Sequence, residues 1–253
     1  MVYLMVEQQF AKYPWCQRTI RGIFEEVRKR RIHVQEVSEL PGGAEERSCV
    51  LLVGASEEWI NQTAREAGSL GLHPVVLSNR ETNSSGLSVS SVKMDIHSSM
   101  ELAVDYLRTL GRERLALFGV NPSASSDLWR ARRFGELTGR EGDVFFLGSS
   151  VNEIFDQFYE KIHRYDGVIC ASDYAAVSLV GRLREKNYAI PEKLYVVGYG
   201  DMFLSRLFRP SITSISDDYE SFGKAALAIC AMMEKNDAFS VVSVKLKSRL
   251  HIR

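Results

Sequence analysis

Residues 167–200 read GVICASDYAAVSLVGRLREKNYAIPEKLYVVGYG. The run Gly167 to Cys170 is short, apolar and uninterrupted, as a strand covered on both faces requires. Asp173 to Lys186 follows as a helix, with Pro191 beyond its end, and Leu194 to Val197 is a second continuous apolar strand. A strand, a helix and another strand at this spacing make a βαβ unit, and a chain of such units builds a parallel sheet with helices on both faces.

The same rhythm extends in both directions. Upstream lie a strand at Val2 to Val6, a helix at Arg18 to Arg31, a strand near His33 to Val37 and the loop Pro41-Gly42-Gly43. A strand at Cys49 to Val53, a helix at Glu57 to Leu70 and a strand at Pro74 to Leu77 follow. Beyond the polar stretch 79–91, a helix from Ser98 to Leu110 places Leu102, Ala103, Tyr106, Leu107 and Leu110 on one face, and Gly111 suits its cap. Strands at Leu115 to Phe118 and Val144 to Leu147 alternate with helices at Asp127 to Thr138 and Asn152 to Arg164. A helix over Tyr219 to Glu234 and a strand over Val241 to Leu246 complete the pattern. About ten strands and eight helices exceed one compact doubly wound sheet. The expectation is therefore two α/β lobes, divided near Ser91 to Ile96.

Composition narrows the function classes. Hydrophobic residues make up 45% and charged residues 25% of 253, so the chain can bury a substantial core. Lys plus Arg and Asp plus Glu are both 32, which leaves no basic excess for holding nucleic acid. The dense cationic runs, Arg28 to Arg31 and Arg130 to Arg133, fall in predicted helices and read as solvated faces. Cys16, Cys49, Cys170 and Cys230 show neither Cys-x-x-Cys spacing nor a nearby His, which argues against zinc or a disulfide framework and fits a reducing cytosol. No run approaches the ~18 apolar residues of a membrane span. Residues 1–6 lack the features of a signal peptide, and an opening directly on a strand leads us to expect a natural segment upstream.

Familiar catalytic signatures are missing. Gly198-Tyr199-Gly200 begins like a dinucleotide loop, but the position of the third glycine is Phe203. There is no phosphate-binding loop and no Gly-x-Ser-x-Gly elbow, and His33, His73, His97, His163 and His251 are isolated from one another. No metal, no cofactor and no enzymatic activity are expected.

Several elements in the second half resemble the LacI/GalR family of transcription regulators. Asp95 is followed by Ala103-Val104-Asp105-Tyr106-Leu107 and Leu110-Gly111-Arg112-Glu113-Arg114-Leu115-Ala116. Arg132-Arg133-Phe134-Gly135 is similar to the family's Arg-x-x-Gly element, and Ala171-Ser172-Asp173-Tyr174-Ala175-Ala176 to its Asp-x-x-Ala helix start. Ile190-Pro191-Glu192, Val196 to Asp201, and Pro210 to Ile215 followed by Asp218, Gly223 and Ala226 keep the family's order, and Arg249 to Arg253 resembles its closing strand. Residues 1–90 match mainly in rhythm, with Gly22 placed as in the family's first helix.

The resemblance implies a periplasmic-binding-protein-like fold of type I: two doubly wound parallel-sheet lobes joined by three crossovers and closing on a ligand. The crossovers would fall near Val92 to Asp95, Ser216 to Tyr219, and Phe239 to Ser240. One lobe would hold 1–93 and about 219–239, the other 94–218 and about 240–253. It further implies a cytoplasmic homodimer that senses a small polar effector, a sugar or its derivative, and binds operator DNA through a helix-turn-helix headpiece absent before Val2. No membrane partner is implied. An exported sugar-binding protein of the same fold, or an enzyme using the cleft, is the alternative.

Candidate ligand contacts follow. Arg132 matches the family's effector-contacting arginine, and its planar fork can grip a diol, carboxylate or phosphate; it also reads as one more exposed arginine. Asp173 stands where a strand enters a helix, as a ligand contact, an N-cap or both; Ser172 is its polar neighbour. Gly200 departs from the Asp or Asn that sugar-binding members carry, and Asp201 reads either as a contact or as the cap of a short helix. Phe10, Tyr13 and Trp15 offer stacking surfaces after the first strand, or simply pack. Trp59 and Trp129 make weaker cases of the same kind. Asp217 and Asp218, at the second crossover, read as contacts or caps.

Overall fold

In the computed structural model, residues 1–43, 48–79, 89–148, 151–235 and 241–253 are described. Contacts divide them into two units: Met1–Met94 with Asp218–Leu246, and Asp95–Asp217 with Lys247–Arg253.

The first unit is built from β1 (Val2–Val6), α1 (Pro14–Arg30), β2 (Val34–Glu36), β3 (Cys49–Val53), α2 (Glu57–Ser69), β4 (His73–Ser78), β5 (Ser90–Met94), α8 (Ser221–Lys235) and β11 (Ser243–Leu246). Its six strands run in the order β11-β5-β4-β3-β1-β2, every pair parallel. Every residue of β3 is buried, as expected of a central strand covered on both faces. Alternate residues Val50 and Leu52 pack with Ile60, Ala64 and Ala67 of α2. On α1, Pro14 occupies the first turn, where a missing N–H costs nothing, and Arg31 ends the helix in the left-handed region at φ 56°. Arg28, Lys29 and Arg30 lie in its last turn, where cations complement the helix dipole.

Two glycines let α1 and α8 approach at backbone distance. A Cβ on Gly22 would stand 2.1 Å from the Glu220 carbonyl oxygen, and one on Gly223 would stand 2.4 Å from the Gly22 carbonyl carbon.

The second unit comprises α3 (Ile96–Thr109), β6 (Leu115–Val120), α4 (Ser125–Thr138), β7 (Val144–Phe146), α5 (Val151–Glu160), β8 (Gly167–Cys170), α6 (Asp173–Glu185), β9 (Tyr195–Tyr199), α7 (Phe203–Leu207), β10 (Thr213–Ser216) and β12 (Arg249–His251). Its strand order is β12-β10-β9-β8-β6-β7, parallel except for antiparallel β12. Phe118, Val168 and Val196 pack with Phe155 and Phe158 of α5 and Leu179 and Leu183 of α6. The alternate residues Leu117, Ile169 and Val197 pack with Met100, Val104 and Leu107 of α3 and Phe134 of α4. The doubly wound reading is thereby met in each unit.

Three details differ from the sequence reading. The expected passage at 239–240 lies outside the described residues, and the strand assigned there to the second lobe belongs to the first sheet. Ser243–Leu246 pairs in parallel with β5, helped by a 2.8 Å bond from Ser91 N–H to the Val242 carbonyl, so the chain changes unit after Leu246. β10 was not anticipated: Thr213-Ser214-Ile215-Ser216 is polar in composition although all four residues are buried, whereas the short helix expected after Asp201 is present as the five-residue α7. Finally, the run Arg130 to Arg133 is not a uniform solvated face, because Arg130 points inward with 9% of its side chain exposed.

Candidate functional site

At the carboxyl end of β8 the chain turns into α6, and Ser172, not Asp173, caps the helix: its Oγ accepts the Ala175 N–H at 3.1 Å. Asp173 is 0% exposed. One carboxylate oxygen accepts the Ser214 hydroxyl at 2.6 Å and the other the Met202 N–H at 2.5 Å. This acid ties α6 to the segments flanking α7. It also fixes the need for Gly198, where a Cβ would stand 2.2 Å from Asp173 Oδ1.

Beyond β9, Gly200 at φ 121° and Asp201 at φ 46° carry the chain through backbone that favours glycine. Asp201 does not cap α7; Met202 occupies that position. The Asp201 carboxylate instead pairs with Arg253, with Arg206 at 2.5 Å and with His251 at 3.6 Å. Burial raises its pKa, but the hydrogen bonds from Arg206 and Arg253 outweigh burial and hold it below the usual value.

Asp217, at the end of β10, is buried. It accepts the Tyr199 hydroxyl and the Ser248 hydroxyl, both at 2.7 Å, and lies 3.7 Å from the Arg130 guanidinium. Arg130 also meets Asp127 at 2.7 Å and lies over the Tyr199 ring at 3.9 Å. Burial pushes the Tyr199 hydroxyl pKa up, so it stays a donor to Asp217. The sequence reading missed Arg130. Its partner Asp127 three residues earlier on the same helix was the available signal.

Arg132 lies on another side of α4, 68% exposed, paired with Glu136 at 3.1 Å and placed 5.6 Å from the centre of the Trp129 ring. Ser125, Leu128, Trp129 and Arg132 border one open depression of about 200 Å³. The structure thus puts two candidate residues, Arg132 and Trp129, together on one helix face.

In the first unit, Phe10, Tyr13 and Trp15 form a cluster after β1, with ring centres 5.4 Å apart for Phe10–Tyr13 and 6.1 Å for Phe10–Trp15. Tyr13 is 52% exposed, whereas Trp15 is buried and packs near Tyr219, 6.3 Å away. Tyr219 belongs to this cluster and was not singled out in the sequence; Arg18 sits over its ring at 5.5 Å and forms an ion pair with Glu220 at 2.8 Å. Trp59 lies on α2, and its ring bounds the space at Gly54. Glu7 is a further buried acid. One of its oxygens accepts the Ala55 and Ser56 N–H groups at 2.9 and 3.0 Å, and the other accepts Gln9 and the Ser56 hydroxyl. Burial raises the Glu7 pKa, but these bonds outweigh it and hold it below the ordinary value.

Among the described residues, no group of three His, Cys, Asp or Glu side chains could hold a metal ion, and the four cysteines are free and buried. No described helix is long and apolar enough to cross a membrane.

Two doubly wound units between which the chain passes three times, with polar and aromatic side chains at the carboxyl ends of the strands, define a periplasmic-binding-protein-like architecture. Residues 104–253 match the family of periplasmic binding protein-like domains, and the chain belongs to it. A stretch is 32% identical over 90 residues to the HTH-type transcriptional regulator RegA of Clostridium saccharobutylicum, covering 36% of this chain and 24% of that one. Another is 36% identical over 74 residues to the HTH-type transcriptional repressor PurR of Vibrio atlanticus, covering 29% and 22%. A third is 32% identical over 90 residues to the arabinose metabolism transcriptional repressor of Halalkalibacterium halodurans, covering 34% and 24%. The chain therefore spans about a quarter of the length of these curated relatives.

Among solved structures, the transcriptional regulator CelR–cellobiose complex superposes with a TM-score of 0.72 at 20% identity, over 100% of this chain and 83% of that one. A LacI family transcriptional regulator from Enterococcus faecalis with bound ribose gives 0.70 at 19%, over 100% and 97%. At these identities the likeness concerns the fold. The resemblance to LacI-type regulators read from the sequence is upheld.

Proposed function

We propose that this chain is the effector-sensing and dimerisation domain of a LacI/GalR-type transcription regulator, acting in the cytoplasm with a DNA-binding headpiece and binding a small sugar or sugar derivative without turning it over. The observation that carries this reading is the family match over residues 104–253 together with partial identity to transcriptional regulators. The ribose and cellobiose held by structures of the same fold favour a carbohydrate. On this reading Arg132 and Ser172 are ligand-contact candidates of the second unit, and Phe10 and Tyr13 are ligand-contact candidates of the first. Trp15, Asp173, Asp201 and Asp217 are buried and support the loops that carry those residues. Ligand binding favours one conformation of the domain, and a differential affinity worth about 1–3 kcal/mol suffices to change operator binding.

A thermal-shift panel of monosaccharides, disaccharides, sugar phosphates, polyols and nucleobases tests the proposal. A ligand at about 100 times its Kd adds ~2.7 kcal/mol, which raises Tm by roughly 5–10 °C in a domain of this size. Sedimentation should give a dimer; a monomer that binds sugar would instead fit a transport-type binding protein. No shift with any compound, or turnover of a bound one, would contradict the proposal.

A further inference from the structure

We propose that the exposed face of α4 recognises the anionic group of an acidic sugar, a carboxylate or a phosphate; this rests on the sensing function proposed above and specifies its ligand class. Ser125, Leu128, Trp129 and Arg132 stand at i, i+3, i+4 and i+7, so their side chains share one stripe of the helix. They border the open depression of about 200 Å³. Leu128 and Trp129 are both exposed, Trp129 to 38%. The indole is held from the side by His97, whose ring meets it edge-on with centres 6.0 Å apart. An exposed aromatic face fixed in this way suits the apolar face of a sugar ring.

The chemistry beside the indole is cationic. Arg132 lies 5.6 Å from the ring centre and reaches solvent along most of its side chain, while Arg133, its neighbour, is engaged with Glu101 and Glu136. Glu136 accepts from Arg132 at 3.1 Å, a solvated i,i+4 pair that a better-placed anion can displace at small cost.

The remaining acids at the carboxyl edge of this sheet do not suit a neutral sugar. Such a ligand is bound chiefly by acceptors that take its hydroxyl protons, and here the acids are buried with their oxygens already hydrogen-bonded. Asp173 accepts from Ser214 and Met202, Asp217 from Tyr199 and Ser248, and Asp201 pairs with Arg206 and Arg253. Gly200 brings no side chain. The α4 stripe itself offers a ring surface, the Ser125 hydroxyl and a guanidinium, whose planar fork matches a carboxylate or phosphate.

Isothermal titration of the 253-residue chain with glucose, galactose and ribose, with glucuronate and galacturonate, and with the 6-phosphates of the two hexoses and ribose 5-phosphate tests the inference. At least one acidic sugar should bind about tenfold or more tightly than its neutral parent, as a charge-assisted contact requires. The carboxylate and phosphate arms tell which anion is read. Arg132→Gln should bring the acidic sugar down to the level of the parent, and Trp129→Ala should weaken both forms alike with the fold intact by circular dichroism. Glu136→Gln should strengthen acidic-sugar binding a few-fold. A neutral parent that binds as tightly as its acids, or a preference that survives Arg132→Gln, overturns the inference and leaves the sensing function standing. No heat with any sugar, neutral or acidic, overturns both.

Discussion

The carboxyl ends of the strands carry buried acids in both units, yet the two units satisfy them differently. In the first, Glu7 is held by neutral donors: two N–H groups at the start of α2, a serine hydroxyl and a glutamine. In the second, Asp173 is held by a hydroxyl and an N–H and Asp217 by two hydroxyls with Arg130 3.7 Å away, whereas Asp201 is held by Arg206 and Arg253. Aromatic groups divide the other way. The first unit gathers Phe10, Tyr13, Trp15 and Tyr219 after a single strand, while the second leaves Trp129 and Arg132 side by side on a helix. Acids at strand ends are therefore structural ties in both units, and the exposed chemistry is aromatic in one and aromatic with a cation in the other.

The largest expected effects come from the glycines that each unit requires. Gly22→Ala sets a methyl group against the Glu220 carbonyl, just before the helix packed on it, and backbone yields poorly, so a loss of more than about 3 kcal/mol is expected in urea unfolding. Gly198→Ala pushes instead against the Asp173 carboxylate, a side chain held at both oxygens, and should cost about 2–3 kcal/mol. If Gly198→Ala proved harmless, Asp173 would be a movable group and not a tie.

Asp217→Ala strips Arg130 of a carboxylate partner and removes the acceptor of the Tyr199 hydroxyl. Breaking a buried pair of this kind costs about 3 kcal/mol, measurable in the same unfolding experiment. Replacing Arg130 and Asp217 together should cost less than the sum of the single losses.

Acid sensitivity sharpens the comparison. Glu7 and Asp201 both have folded pKa values below their unfolded ones, so each adds stability above its unfolded value and loses it as pH falls through the folded one. Glu7→Gln and Asp201→Asn should each flatten the acid limb of a stability–pH curve below about pH 4. Raising salt from ~0.1 to ~1 M shortens the Debye length from about 10 to about 3 Å, which should reduce the contribution of Asp201, with its cationic partners, more than that of Glu7. Equal salt responses would remove the distinction between the two units.

Much of the architecture was legible because buried parallel strands write continuous apolar runs. Cys49 to Val53 and Gly167 to Cys170 needed no partner to be read as strands. β10 escaped because Thr213, Ser214 and Ser216 are polar; they are buried through bonds to distant residues such as Asp173 and His251. The site was less legible. Arg130, Arg132 and Arg133 are identical as letters, and only the placement of Asp127, Asp217 and Glu136 turns one inward and leaves another in solvent. Asp173, Asp201 and Asp217 look like acceptors awaiting a ligand until their internal donors are located. Glu7 gave no signal, because its partners at Ala55 and Ser56 lie nearly fifty residues away.

The smallest effect on stability falls on the residue expected to matter most for binding. Arg132 has only its exposed pair with Glu136 to lose, so Arg132→Ala should change unfolding free energy by less than about 0.5 kcal/mol. Calorimetric titration of wild-type and Arg132→Ala chains with the sugar that gives the largest thermal shift tests the account most directly. We expect binding by the wild type and its loss in the variant at unchanged Tm. Undiminished affinity in Arg132→Ala would contradict the assignment of the ligand to this face of α4.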